Sequence, residues 1–253
     1  MMRFACIASL LILAGCDFYN DLPGRPAPNP GPVIAANTSV GFERIWSHRC
    51  AGCHGDNGTL GAGRPMRDAS YLQGIGKVNM ASVIRHGVEG TRMPAFGGDA
   101  VDPIPDDEVD PFVDGMFEFW GKSDGATDPS EGIAWRHETG GDAARGAVIF
   151  EANCRSCHPS SLPPDGVTAD PLIAGSVTDP FFLKLVSDQH LRSSIVYGRA
   201  DLGMPGAAGP FRGPKGQTVD RPLDAAGVSD LVAYISSFRN TWPSTDERKD
   251  GAP

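Results

Sequence analysis

The sequence CAGCH at residues 50–54 decides how this chain folds, and the same pattern returns as CRSCH at residues 154–158. Each copy places two cysteines three positions apart, which brings both thiols onto one helical turn, and a histidine follows directly. Four residues before the first cysteine of each copy stands an aromatic residue, Trp46 or Phe150. The pattern is therefore an internal repeat, and it extends beyond the five residues of the motif.

The repeat continues downstream in the same register. Each copy contains a glycine followed six residues later by a Met-Pro pair, at Met93-Pro94 and Met204-Pro205. An apolar segment then closes each copy, and in the second copy its spacing predicts an amphipathic helix over residues 229–238. We therefore predict two domains, at residues 38–121 and 143–240. Residues 122–142 form a surface linker between them, and residues 241–253 form a tail.

The CxxCH motif is the attachment site of c-type haem. Its cysteines, here Cys50 with Cys53 and Cys154 with Cys157, bond to the two vinyl groups of the porphyrin. The following histidine, His54 or His158, is then placed under the iron. The sequence thus predicts two covalent haems (iron protoporphyrin IX). A zinc site usually brings its two cysteine pairs within about 20 residues, and these pairs lie much further apart. A thioredoxin-like CxxC requires neither the histidine nor a repeat.

The chain resembles the class I cytochrome c family, and the resemblance covers both units. It implies a mainly α fold of two tandem domains, with short helices and long loops wrapped around covalent haem. In that family a loop proline offers its carbonyl to the haem histidine, which implies this role for Pro65 and Pro171. A family glycine that packs against the last helix is matched by Gly146. The first unit has Phe42 at that position and a glycine one residue earlier.

The resemblance also implies Met93 and Met204 as the sixth ligands of the two irons. Met66 is a rival in the first unit, although it follows Pro65 where the family has a packing residue. The remaining histidines are expected to be solvated or hydrogen-bonded: His48, His86, His137 and His190. A haem with histidine and methionine ligands has no open position, which favours an electron-transfer protein without catalytic residues. The alternative is a dihaem peroxidase in which one iron is open.

The N-terminus is typical of an exported lipoprotein. Residues 4–14 form an apolar run that is too short to cross a bilayer, which fits a secretory signal. The run ends in LAGC at residues 13–16, which resembles a bacterial lipobox and implies cleavage after residue 15 and acylation of Cys16. Residues 16–37 are rich in proline, which predicts an extended tether. We expect a protein anchored on the periplasmic side of a bacterial membrane, and Asp17 favours the inner membrane.

The charge distribution bears on the partners. The 253 residues carry a formal net charge of −9, which argues against nucleic-acid binding. Residues 93–121 contain acidic residues and no Lys or Arg, whereas the second Met-Pro loop is bordered by basic residues. These charges either are ordinary solvated charge or steer two redox partners of opposite charge. The expected partners are an electron donor and an acceptor, which can belong to a respiratory or photosynthetic membrane complex.

Overall fold

The computed structural model describes residues 34–122, 132–159 and 174–241, and the chain from Ala35 onward forms one compact unit. This unit is mainly helical. The helices are α1 (Ser39–Ile45), α2 (Ala51–His54), α3 (Ala69–His86), α4 (Asp106–Trp120), α5 (Ala143–Asn153), α6 (Pro180–Leu183), α7 (Asp188–Tyr197) and α8 (Ala225–Ser236). A π-helical turn at Trp46–Cys50 joins α1 to α2, and 3-10 turns lie at Ala200–Leu202 and Ser237–Asn240. Two short strands, β1 (Phe211–Arg212) and β2 (Thr218–Val219), pair antiparallel.

Side-chain caps begin most of these helices. The carboxylate of Asp142 accepts hydrogen bonds from the backbone N–H groups at the start of α5, and Asp68 does the same for α3. Asp224 caps α8 in the same way. Such caps satisfy backbone donors that have no partner inside the helix, and each contributes about 1 kcal/mol. The acidic residues at the start of α4 also suit the positive end of that helix dipole.

In the first half of the chain, α1 packs against α4 through aromatic rings. The ring of Phe42 stacks on Phe112 with centroids 5.1 Å apart and meets Trp120 edge-on at 4.9 Å. Trp46 meets the same Trp120 edge-on at 4.6 Å. Gly41 instead lies against the backbone carbonyl of Ala35, where an added Cβ would be 2.0 Å from the oxygen. A large ring thus occupies the position that the family gives to glycine.

In the second half, α5 and α8 approach much more closely. A Cβ on Gly146 would lie 2.0 Å from the carbonyl oxygen of Asp230 and 2.8 Å from the Cβ of Tyr234. The side chain of Arg145 pairs with the Asp230 carboxylate at 2.8 Å across the same contact. Gly146 therefore packs against the last helix, as the resemblance implied.

We expect Gly146→Ala to destabilise the protein by about 3 kcal/mol, because the new methyl group forces α5 away from the α8 backbone. Urea unfolding followed by circular dichroism measures this change. Gly52→Ala is the matched control, since a Cβ at that helical position meets no atom within 4 Å. Equal stability of the two variants would contradict the close contact.

Residues 132–137, within the predicted surface linker, pack against α7. Ile133 is buried, and the carbonyl of Ala134 accepts two hydrogen bonds from Arg192 of α7 at 2.9 and 3.0 Å. The carbonyl of Trp135 accepts another from the Gln189 side chain at 2.8 Å. This part of the predicted linker is therefore built into the packing around α7. No helix within the described ranges is both long and apolar enough to cross a bilayer.

Candidate haem sites

The first CxxCH motif lies on one tight turn. The π-helical turn Trp46–Cys50 leads directly into α2, so that Cys50 and Cys53, three positions apart, lie about one helical turn from each other. Both thiols are free of disulfides, and Cys53 is exposed. Burial raises the pKa of the Cys50 thiol to about 12, although neighbouring Arg49 opposes this.

The second motif follows the end of α5 and folds in the same way. The backbone N–H groups of Cys157 and His158 both donate to the carbonyl of Cys154, at 3.1 and 2.9 Å. Cys154 and Cys157 are half-buried and free of disulfides. Burial raises the pKa of the Cys154 thiol to about 12. Each motif thus offers two reduced thiols on one turn, immediately before its histidine.

A backbone carbonyl fixes the orientation of the His54 ring. Nδ1 of His54 lies 2.6 Å from the carbonyl oxygen of Arg64, to which it donates when it carries the proton. The ring lies so close to Gly63 that a Cβ there would be 2.9 Å from Cε1. Burial lowers the pKa of His54, which favours the neutral imidazole. Nε2 is then left with the lone pair that binds a metal.

The His158 ring is held by an equivalent bond. Its Nδ1 lies 3.2 Å from the carbonyl oxygen of Gly175, and burial lowers its pKa as well. The loops that carry the two carbonyls are anchored alike: the N–H of Gly63 donates to Cys53, and the N–H of Ala174 donates to Cys157, both at 2.8 Å. In each case the next residue in sequence supplies the carbonyl that meets the histidine.

The expectation that the carbonyl of Pro65 accepts this hydrogen bond is therefore wrong. The carbonyl that meets His54 belongs to Arg64, one residue before Pro65. In the second unit the acceptor is Gly175, while Pro171 lies outside the described residues. The returning loop spans 10 residues from His54 to its acceptor but 17 from His158 to its own. In the first unit, matching the proline by sequence therefore misses the acceptor by one residue.

The two predicted methionine ligands lie in loops of matching geometry. Gly87 and Gly198 end α3 and α7 with φ values of 67° and 70°, a region that favours glycine. An added Cβ on either glycine would collide with the backbone of the following Met-Pro segment. The carbonyls of Met93 and Met204 accept hydrogen bonds from the residue after each glycine, at 3.0 and 2.9 Å.

Burial separates these two methionines from the rest. Met93 and Met204 are half-buried, whereas three others in the described ranges are inside the apolar core: Met66, Met80 and Met116. The buried position of Met66 agrees with packing, the role that the family gives to the residue after the proline. Ligation of iron by Met93 and Met204 stays a prediction.

The other histidines lie apart from the motif histidines in sequence and differ in environment. His48 and His86 are exposed on helices, and each ring meets a backbone carbonyl four residues earlier, at 2.8 and 2.9 Å. His137 lies 4.0 Å from Asp188. His190 is half-buried near the start of α7, where burial, together with the charges of Arg64 and Arg199, lowers its pKa to about 4.

Sequence reasoning missed the residues that join the two sites. The side chain of Arg64 is 5% exposed and reaches from the first half of the chain to carbonyls at Ser193 and Gly198 in the second. Arg199 reaches back to the carbonyl of Gly61 at 3.2 Å. The position of Arg64 next to Pro65, the predicted acceptor, pointed to its contact with His54. The sequence did not point to its contacts with the second half, because those depend on how the two halves pack.

The residues present at each CxxCH motif fit the requirements of a c-type haem. Each site offers two free thiols on one turn and a neutral imidazole whose Nδ1 meets a backbone carbonyl. In the first site, Gly63 leaves room for the His54 ring, because a Cβ there would lie 2.9 Å from Cε1 of that ring. Each half also retains a methionine outside the core, on a loop entered through a left-handed glycine. Within the described ranges, no group of three His, Cys, Asp or Glu side chains is arranged to hold a bare metal ion.

Comparisons with known proteins agree with this chemistry. The family model of cytochrome c oxidase, cbb3-type, subunit III matches residues 41–110. The cytochrome bc1 complex cytochrome c subunit of Mycobacterium tuberculosis is 27% identical over 166 residues, which are 62% of this chain and 56% of that protein. Its counterpart from Mycobacterium leprae is 28% identical over 158 residues, which are 59% of this chain and 52% of that protein. The chain thus spans about half the length of these curated relatives.

The chain therefore carries a cytochrome c domain, and such a domain holds c-type haem through covalent bonds to its cysteines. The matched region includes the first CxxCH motif, the loop that orients His54, and Met93. It ends within α4. The mainly helical fold with little strand agrees with this assignment.

Proposed function

We propose that this protein is a membrane-anchored dihaem cytochrome c that transfers electrons between redox partners. The observation that carries the proposal is the repeated site: each CxxCH turn is followed by a loop that returns to the second cysteine and brings a carbonyl to the histidine. Residues 38–121 and 143–240 are the two tandem domains. The haem, when bound, supplies an iron that changes between ferrous and ferric states.

The residues of the chain set the properties of that iron. The thiols that would hold the haem by thioether bonds belong to Cys50, Cys53, Cys154 and Cys157. The carbonyls of Arg64 and Gly175 orient the histidines and make them stronger donors to the metal. Met93 and Met204 would supply the second protein ligand of each iron, which would raise the potential and leave no site for a substrate. The chain therefore acts as an electron carrier and performs no catalysis of its own.

The partner is a respiratory membrane complex. The relatives from Mycobacterium are named as subunits of the cytochrome bc1 complex, which supports this class of partner. Acylation at Cys16, followed by the proline-rich tether to residue 37, anchors the chain on the periplasmic side of the membrane. Cys16 lies outside the described residues. Two or more acyl chains give stable anchoring where a single chain does not.

The ion pairs on the surface favour ordinary solvated charge over the steering of redox partners by opposite charges. Four of the acids between residues 93 and 121 are paired with cations of the first half, at N–O distances of 2.6 to 2.9 Å: Asp102 with Arg49, Glu108 with Arg44, Asp110 with Arg85, and Asp114 with Lys77. In the second half, Arg199 is paired with Asp201 at 2.9 Å. Close pairing cancels much of each charge at a distance, so solvated local pairs explain these residues better than opposed fields.

Purification from membranes tests the proposal. The protein, extracted in mild detergent, is expected to contain two haems per chain, to take up two electrons, and to show the red-end absorbance band of methionine–iron ligation when oxidised. Co-purifying subunits identify the complex. One haem per chain, or an iron that binds peroxide, would contradict the carrier function. Release of the protein into buffer without detergent would contradict the anchor alone.

A further inference from the structure

The two halves of the chain meet at the loop that orients His54. The N–H of Leu60 donates to the carboxylate of Asp201 at 2.9 Å, and Nη2 of Arg199 donates to the carbonyl of Gly61 at 3.2 Å. Arg199 and Asp201 are themselves paired, with side chains only 13% and 6% exposed. The contact is therefore polar and made from both sides, and its two charged side chains are largely covered although Leu60 is exposed.

Arg64 lies at the centre of this contact. Its Nη1 donates to the carbonyls of Ser193, at 3.2 Å, and Gly198, and its Nη2 pairs with Asp68. The guanidinium also lies over the rings of Tyr71 and Tyr197, at 4.7 and 5.6 Å. A buried guanidinium needs such partners, because an unpaired buried charge costs several kcal/mol. Because these partners come from both halves of the chain, pairing the guanidinium also fixes the two halves relative to each other.

The backbone and side chain of Arg64 serve different sites. Its carbonyl accepts from Nδ1 of His54 in the first half. Its side chain holds the carbonyl of Gly198, where α7 ends and the loop to Met204 begins. That loop is closed by a pair of hydrogen bonds between Arg199 and Met204, at 2.9 and 3.0 Å. One residue thus touches the histidine of one site and the entrance of the methionine loop of the other.

We infer that Arg64 is a positioning residue that couples the two haem sites: it fixes the loop carrying Met204 against the loop that orients His54. This inference rests on the proposed function, because it needs a haem in each half. Its consequence is that the second site depends on the first half of the chain for its methionine. The two sites are then held at one separation, as repeated electron transfer between them requires.

Hydrogen exchange in the full-length holoprotein tests the coupling. In Arg64→Met we expect the amides of Arg199 and Met204 to exchange at least about tenfold faster, because the loop opens locally once its anchor is gone. The methionine–iron absorbance band should fall by up to half, and one of the two midpoint potentials should fall while the other changes little. Arg64→Lys keeps the positive charge but lacks the planar guanidinium with its several N–H donors. Its exchange rates and potentials should therefore lie between those of Arg64→Met and the unsubstituted protein.

The control is Arg239→Met, which removes hydrogen bonds from Arg239 to the carbonyls of Leu183 and Val186 and its ion pair with Asp188, at the end of α7 opposite Gly198. It should leave both amides and both potentials unchanged. If Arg64→Met does not fold, Arg199→Gln removes the bond to Gly61 from the other side, and the same local exchange is expected. Faster exchange throughout the protein, or an equal effect in Arg239→Met, would overturn the inference.

The haem content of the unsubstituted protein distinguishes a failure of the proposed function from a failure of the coupling through Arg64. Fewer than two haems per chain contradicts the proposed function. Two haems, with unchanged exchange and potentials in Arg64→Met, contradict only the coupling.

Discussion

Cys154→Ser combined with Cys157→Ser should leave a protein with one covalent haem in place of two. Thioether bonds survive denaturation, so the haem that stays with the chain on a denaturing gel counts the intact motifs. We expect haem-dependent staining, relative to total protein, to fall by about half. The same loss is expected for the matched pair Cys50→Ser and Cys53→Ser, and staining should vanish when all four cysteines are replaced.

The physical reason is that no other thiols in the described ranges can replace these. The four motif cysteines are the free thiols there, and each pair lies on its own turn. Ser156→Ala, which changes a residue between the cysteines, is the control and should retain both haems. Full staining after loss of either pair would show that only the other motif binds haem, and the dihaem proposal would fail.

Met204→His should lower the midpoint potential of one haem by on the order of 0.1 V, within the range of about 0.8 V that axial ligands control. Thioether sulfur stabilises ferrous iron relative to imidazole, so the exchange favours the ferric state. The methionine–iron absorbance band should fall by half. Met93→His should shift the other haem by a similar amount, and the double variant should lose the band.

Met66→Leu is the control for the first site, because Met66 is buried in the core and its replacement keeps the apolar volume. It should leave both potentials and the band in place. The experiment is an optical redox titration of the purified holoprotein. If Met66→Leu removes half the band and Met93→His leaves it intact, Met66 and not Met93 is the iron ligand of the first site. If no variant alters the band, neither predicted ligand is correct.

Much of the site could be predicted from the sequence, because its chemistry depends on residues that are close along the chain. The two CxxCH motifs need only one helical turn to place their thiols and histidine, and the structure forms that turn in both halves. The apolar segment that closes each half is a helix, α4 in the first half and α8 in the second, although α8 begins at Ala225, four residues before the predicted start. Gly146 also meets the last helix as expected, since only glycine permits that approach.

The carbonyl acceptors could not be predicted in the same way. Their identity depends on how far each loop travels before it returns to the motif, and the two loops differ in length. The sequence left open whether the acidic residues are solvated or steer a partner, for a related reason. Residues 93–121 look like an acidic surface in the sequence, but four of those acids find cations that lie elsewhere in the first half.

The sequence by itself determined that this chain carries cytochrome c chemistry, because covalent attachment and histidine ligation are local properties of five residues. Only the tertiary structure decided which carbonyls orient the histidines and that Arg64 reaches from one half of the chain to the methionine loop of the other. The reason is that a buried guanidinium takes its partners from whatever the packing brings within about 3 Å, however distant those partners are along the chain.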